Sequence, residues 1–410
     1  MLKTAYIFFL SLMVLSHSIA QIPGCTDPLA INYSIIANQN DGSCLYPPTS
    51  IKPIISWPLP GELNETSGLI LWNHSIWTHN DDTDIRLYKM SLNDFSAFDA
   101  FELTGASNTD WEEIAQDELF IYIGDFGNNG TGLRTDLNIL RIEKASLSNQ
   151  QPAIDTILFS YESQTFKKNK KSNQTDFDCE AFIVSKDSIY LFTKEWLSEK
   201  TSVYRLPKTP GNHIARFLDS YDVNGLITGA TSLENKNLTI LTGYSALLQP
   251  FLLLLYDYDG SDFFGGHKRK VTLDLPFHQV EGIASEDGLN VYLSNERFAQ
   301  SFFTIDQKVH YIDASEYLGD YLANLTRLEN PADISALKVY PNPFTDKFQI
   351  EVDPNTHVRF EMINSIGSLV LKGQFYGNTK IDTDHLQPGL YVLKLNSGQN
   401  LVFRKILKSF

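Results

Sequence analysis

The chain has 410 residues, of which 42% are hydrophobic and 20% charged, and its formal net charge is -16. That length accommodates two or three domains and a sizeable core. The acidic balance excludes nucleic acid and anionic membrane as general partners, and the local cluster Lys167, Lys168, Lys170 and Lys171 reads as a solvated loop.

The chain opens "MLKTAYIFFLSLMVLSHSIAQ", with Lys3 ahead of an apolar run and Ser18-Ile19-Ala20 closing it. This pattern predicts a secretory signal peptide over residues 1–20. The run is short for a bilayer span and no other stretch is long and apolar enough, so no membrane span is expected in the mature protein. Next come Cys25 and Cys44, flanking "TDPLAINYSIIANQNDGS". An oxidising compartment favours a disulfide between them, stapling a module over 21–48 that is too small to hold a core. Its "GCTDP", "NY" and "DGSC" resemble the Cys-flanked module near the start of many exported Bacteroidota proteins. Asn38, Asn40, Asp41 and Gly42 within it suit a polar turn, with a cation-binding turn as the alternative.

From about 51 to 318 the sequence repeats. "TSGLI" at 66, "WEEIA" at 111, "CEAFI" at 179, "ATSLE" at 230 and "VEGIA" at 280 are each followed by a second apolar strand. Where the chain can be followed, a third strand and a more polar fourth come next. Four short strands per unit of this size predict an all-β fold, a five-bladed β-propeller. "PIISWPL", ahead of the first unit, is a spare strand that would complete the last one and close the ring. Six blades are the alternative, with the extra one in the longer gap between Glu112 and Glu180.

In such a ring the first strands lie nearest the axis, so Ser67, Glu112, Glu180, Thr231 and Glu281 converge; Ser232 is the alternative at the fourth position. Three carboxylates that close in a low-dielectric channel must be protonated or neutralised by a cation. Oxygen-only donors suit a hard cation, and a flexible ring suits Ca2+. The order Ser, Glu, Glu, hydroxyl, Glu is similar to the calcium-activated nucleotidase (apyrase) family, which implies an axial Ca2+ held by that set. That family has Ser where this chain has Thr231, and its nucleotide-contacting residues have no counterparts identifiable here.

One face of the ring collects the residues flanking these strands: Asp110, Asp176, Asp178 and His278 before the first strands, and His79, Asn80, Asp81, Asp82, Asp125, Asn128, Glu195, Asn295, Glu296 and Arg297 after the second, with Trp111 and Trp196 as walls. Two functions follow. In a binding module the ion pins the blades and the acidic face meets an extracellular ligand. In a calcium-dependent phosphohydrolase, Asp81, Asp110 or Asp125 orients water and Arg134 or Arg297 steadies the anion. The ligand-binding module is the preferred expectation.

After a linker at 319–337, residues 338–410 alternate short strands with Gly, Asn and Pro turns, predicting a small antiparallel β-sandwich. Tyr340-Pro341-Asn342-Pro343, Leu386-Gln387-Pro388-Gly389-Leu390-Tyr391 and the basic Arg404, Lys405 and Lys408 resemble the C-terminal sorting domain of type IX secretion substrates. That resemblance implies handling by the type IX machinery and passage through the periplasm to a secreted or cell-surface location.

Overall fold

In the computed structural model, described over residues 21–409 apart from 82, 150, 165–170, 301, 330–336, 353–355, 365–367 and 398–399, the chain forms two compact units, 1–313 and 314–410. The leader 1–20, Asp82, Lys167, Lys168 and Lys170 lie outside the described residues.

The first unit is all-β and propeller-like. Antiparallel sheets run Thr66–Trp72, Ser75–Asn80, Arg86–Ser91, Asp94–Glu102; then Trp111–Gln116, Phe120–Asp125, Asn138–Glu143, Ile154–Tyr161; then Asp178–Val184, Ser188–Lys194, Thr201–Pro207, Gly211–Tyr221; and then Leu226–Leu233, Leu238–Tyr244, Pro250–Tyr256, His267–Leu273. The last run, Val280–Ala284, Asn290–Asn295 and Lys308–Asp313, takes its fourth strand from Ile55–Pro58, with Val309 opposite Trp57. The segment at 55–58 thus closes the ring, and the innermost strands contact one another in cyclic order, the 280–284 strand returning to 66–72.

Burial explains this arrangement. Ser188–Lys194 is buried at every position, whereas the outer Ile154–Tyr161 alternates buried and exposed residues. Central strands covered on both faces read as continuous apolar runs, and half-covered ones alternate. The core accordingly lies between neighbouring sheets, as where Phe126, Phe159 and Tyr161 of the 111–161 sheet meet Phe182, Leu191 and Tyr204 of the next. Those two sheets also join at their rims, because Ile154–Tyr161 pairs in parallel with Gly211–Tyr221.

Cys25 and Cys44 are bonded, and their module rests on the 226–273 sheet. Tyr46 donates to Asp27 at 2.8 Å and lies 3.1 Å from the Tyr256 hydroxyl, while the Arg269 guanidinium sits over the Tyr46 ring. Within the module Asn40 and Asp41 accept the Gly42 and Ser43 amides, the hydrogen bonding of a polar turn.

The second unit begins with a helix, Ser315–Glu329, which crosses the expected boundary at 318/319. Two antiparallel sheets follow. One orders Lys338–Tyr340, Lys347–Glu351 and Thr379–Asp382; the other orders Leu369–Tyr376, His357–Asn364, Gly389–Ser397 and Asn400–Lys408. Phe348 and Ile350 from the first meet Phe360, Met362, Leu393 and Leu395 from the second in one core. No described helix is long and apolar enough to cross a membrane.

Candidate metal centre at the propeller axis

Each innermost strand carries an irregularity near the same level, falling after Ser67 in the first strand and at the ring position in the others. Glu112, Glu180 and Glu281 fall in β-bulges, between Trp111 and Glu113, Cys179 and Ala181, and Val280 and Gly282. A bulge leaves one residue unpaired and re-aims its side chain. All three glutamates, with Ser67, line one cavity of about 210 Å³. Its walls add Asp81, Asp110, Lys194, Trp196, Tyr244 and Glu296.

Thr231 does not belong to this ring. The bulge in Leu226–Leu233 lies between Ile227 and Gly229, which makes Thr228 the counterpart of Glu281. Thr231 lines a separate cavity with Leu69, Ile114, Ala230 and Ala284, together with Ser232. The bulge breaks the two-residue alternation, so a register read from hydroxyls further along the strand lands three residues late. Both hydroxyls reach the neighbouring sheet: Ser67 donates to the carbonyl of Glu112, and Thr228 to the carbonyl of Val280, one residue before Glu281.

Glu112, Asp178 and Glu180 each place a carboxylate oxygen within 4.8 Å of the others, all buried. Asp178 is held from behind by the Asn128 amide at 2.6 Å and by the Trp196 indole N–H at 2.7 Å. The hairpin carrying Gly127 presses on this group: a Cβ there would stand 2.2 Å from Glu112 Oε1 and 2.3 Å from Asp110 Oδ2. A side chain at this position would have to push both carboxylates aside. Burial pushes Glu112 well above the usual carboxylate range, and the charge of Glu180 adds to it. Asp110 is pushed up to about 6 by burial and by Asp178, Glu281 to about 7 by burial, and Glu296 to about 9 by burial and by Glu281.

One cation is built in. Lys194 Nζ lies 2.5 Å from Glu180 Oε2, with both side chains almost wholly buried, and 4.8 and 5.2 Å from the ring centres of Trp196 and Tyr244. Burial alone would lower the lysine, but Glu180 and its neighbours hold it well above its ordinary value. Among the described residues lining the cavity, Lys194 is the only basic side chain, against Asp81, Asp110, Glu112, Glu180, Glu281 and Glu296.

The donor chemistry fits a hard divalent cation: carboxylate oxygens and a hydroxyl, with no thiolate or imidazole in the cavity lining. Glu112, Asp178 and Glu180 are the residues that could hold it, with Glu281 and Ser67 on the same wall.

The other predicted site residues divide. Asp81 and Asp110 line the cavity, and Asp81 groups with Glu65 and Glu296. Asp125 is buried and bonded to Arg134 at 2.8 Å, and Arg134 also donates to the Gly127 carbonyl and to Asp136. Arg297 is exposed and does not line the cavity. Trp111 is fully buried in the core with His79 edge-on to it, so it forms no wall. Glu195 turns inward to accept from Thr193, Ser198 and Ser202.

Beneath the ring lies a residue the repeat reading passed over. Glu113 is completely buried, with one carboxylate oxygen 2.8 Å from the Ala230 amide and the other 3.0 Å from the Ile114 amide; the Leu69 amide also bonds it. Its counterparts in the register, Gly68, Ala181, Gly229 and Gly282, are all small, and a Cβ on Gly68 would stand 2.7 Å from Glu113 Oε1. The signal was the small residue after each ring position, replaced by a second Glu in "WEEIA" alone.

No curated protein matches the chain. Among solved structures it is similar to PorZ, a bacterial surface component of the type IX secretion system of Porphyromonas gingivalis, at 9% identity and a TM-score of 0.31, covering 84% of this chain and 45% of that one. The chain thus spans less than half the length of PorZ. An exo-β-1,3-galactanase from Phanerochaete chrysosporium with galactose gives 9% identity and 0.33, covering 83% and 95%. A bifunctional GH43-CE protein from Bacteroides eggerthii gives 9% and 0.35, covering 87% and 55%. At such scores the propeller-like fold rests on the strand topology described above. Residues 338–409 match the secretion system C-terminal sorting domain, so the chain carries a type IX sorting domain, which implies handling by that machinery and a secreted or cell-surface location.

Proposed function

We propose that this is an exported five-bladed β-propeller that binds Ca2+ at one end of its axis and serves as a ligand-binding module at the cell surface. The observation that carries the metal reading is the approach of the buried Glu112, Asp178 and Glu180, with oxygens within 4.8 Å of one another, beside a cavity lined by Glu112 and Glu180 in which Lys194 is the single basic side chain among the described residues. Like charges so close and so buried are raised toward protonation unless a cation joins them. The five-bladed count is supported by the cyclic contacts of the innermost strands. The leader at 1–20, the periplasmic route, the Bacteroidota source and the boundaries at 21–48, 51–318 and 338–410 belong to the same proposal.

When bound, the cation would neutralise the ring and tie neighbouring blades together. Glu112 and Glu180 would hold it from two sheets, Asp178 would be kept in place by Asn128 and Trp196, and Asp81, Asp110 and Glu296 would present an acidic rim to the ligand. The binding module is favoured over the phosphohydrolase alternative because Arg134, the candidate anion clamp, is committed to Asp125 and Asp136.

The test is calorimetric titration of the full chain with Ca2+, alongside thermal unfolding with Ca2+ and with chelator. Saturable binding and a raised Tm are expected, both lost in Glu112→Gln. Absence of heat and of any Tm change would overturn the metal reading. Ca2+-dependent phosphate release from nucleoside di- or triphosphates or phosphomonoesters would replace the binding module by the hydrolase.

A further inference from the structure

We infer that Lys194 is an internal competitor for the axial cation site: its ammonium is bonded to Glu180 and must give way there for a divalent cation to bind. This rests on the metal reading above but concerns a residue that reading does not require.

Glu180 is shared. It belongs to the carboxylate group with Glu112 and Asp178, and it is also the 2.5 Å partner of Lys194. A divalent ion joined to Glu180 would face the ammonium at close range in a buried site, where like charges repel far more than in water. Lys194 occupies only Oε2 of Glu180, so it is the repulsion between ion and ammonium, not a shortage of oxygens, that drives the ammonium away. All three side chains rise from strand backbone, and Lys194 has the longest reach among them, a flexible four-carbon stem that lets its ammonium shift.

The surroundings give the displaced ammonium somewhere to go. Nζ already lies within cation–π range of both Trp196 and Tyr244, and Trp196 is fixed by its indole bond to Asp178. Glu281 and Glu296 line the same cavity and would receive it. Register shows the placement to be specific to this blade. The positions equivalent to Lys194 across the sheets are Asp81, Phe126, Tyr244 and Glu296, so no other blade brings an ammonium to this level. Lys194 would therefore set the cation affinity, holding it low enough that the site fills only where Ca2+ is abundant.

The experiment compares the full chain with Lys194→Met, which keeps the length and removes the charge, and Lys194→Arg, which keeps the charge. Each is titrated with Ca2+ by calorimetry, with circular dichroism to show that it is folded. Expected is a Kd at least tenfold tighter in Lys194→Met and within threefold of the parent in Lys194→Arg. A Kd in folded Lys194→Met that is unchanged or weaker overturns the inference. If the parent binds no Ca2+ but Lys194→Met does, the metal reading fails for the native chain and the inference stands; if neither binds, both fall. Should Lys194→Met not fold, reductive methylation of the parent with mass-spectrometric readout decides. Methylation of Lys194 should rise at least threefold on Ca2+ addition while that of exposed lysines stays constant, and an unchanged Lys194 signal refutes displacement.

Discussion

Glu112 and Glu113 are consecutive residues, both buried at the axis, and the protein treats them in opposite ways. Glu113 is met by the Ala230, Ile114 and Leu69 amides, so backbone dipoles from three sheets satisfy its oxygens. Glu112 points into the adjoining cavity and meets Glu180, Asp110 and Asp178, whose charges all oppose its own. One layer of the axis is thus closed by permanent hydrogen bonds, and the next is left with a charge for something mobile to balance. Buried carboxylates by themselves do not mark a metal site; their partners decide which of these two roles they play.

The largest effect should come from breaking the closed layer. Glu113→Ala leaves the Ala230, Ile114 and Leu69 amides without an acceptor in a space water cannot easily fill, at about 1–3 kcal/mol each, so a loss of about 3–9 kcal/mol is expected. Urea unfolding should show that loss equally with Ca2+ and with chelator. A loss rescued by Ca2+ would place Glu113 in the cation layer and erase the contrast. Next in size is Glu180→Gln, which strands the Lys194 ammonium and should cost about 3–5 kcal/mol. Its Tm should no longer respond to Ca2+. The double variant Glu180→Gln with Lys194→Met should lose less than the sum of the two single changes, and strict additivity would show that the pair is not coupled.

Much of the fold was legible because it is periodic. Short apolar strands in repeating sets of four, a spare strand at 55–58 and alternating strands near the C-terminus all follow from side-chain spacing, and each appears in the structure. The site was half legible. Glu112, Glu180 and Glu281 stood in register in the repeats, and the structure brings them together with Asp81 and Asp110 around one cavity. What escaped depended on parity. Lys194 and Glu195 are adjacent, and strand alternation sends one into the cavity and the other into the hydroxyls of Thr193 and Ser202; residue type alone favoured the acid. Asp178, expected on the rim, lies in the carboxylate group, because residues i and i+2 of a strand face the same way and Glu180 is two residues on.

A pH series sharpens the same contrast at moderate size. Asp110, Glu281 and Glu296 are raised to about 6, 7 and 9 in the folded state by burial first of all. The folded chain therefore holds protons that the unfolded chain has released, and stability falls as pH rises through this range. With chelator, Tm should drop between pH 5 and pH 9 by on the order of 5 °C. Saturating Ca2+ should flatten the slope, because the ion takes over the role of the protons. A Tm that rises with pH in chelator would mean the cavity carboxylates are already neutralised by groups of the chain itself.

The smallest effect tests the register on which the ring depends. Thr228 donates to the Val280 carbonyl, so Thr228→Ala removes a bond that links two neighbouring sheets at the level of the glutamates. A buried hydrogen bond of this kind is worth about 1 kcal/mol. Thr231 sits at the other cavity, where Thr231→Ala should change stability by less than about 0.5 kcal/mol and leave Ca2+ binding untouched. Because Thr228 also occupies the ring position between Glu180 and Glu281, its replacement should weaken Ca2+ binding modestly even after the stability difference is allowed for. Denaturation and calorimetry on the two variants separate the assignments: a larger loss at Thr231 on both measures would restore the register read from the repeats and remove Thr228 from the ring.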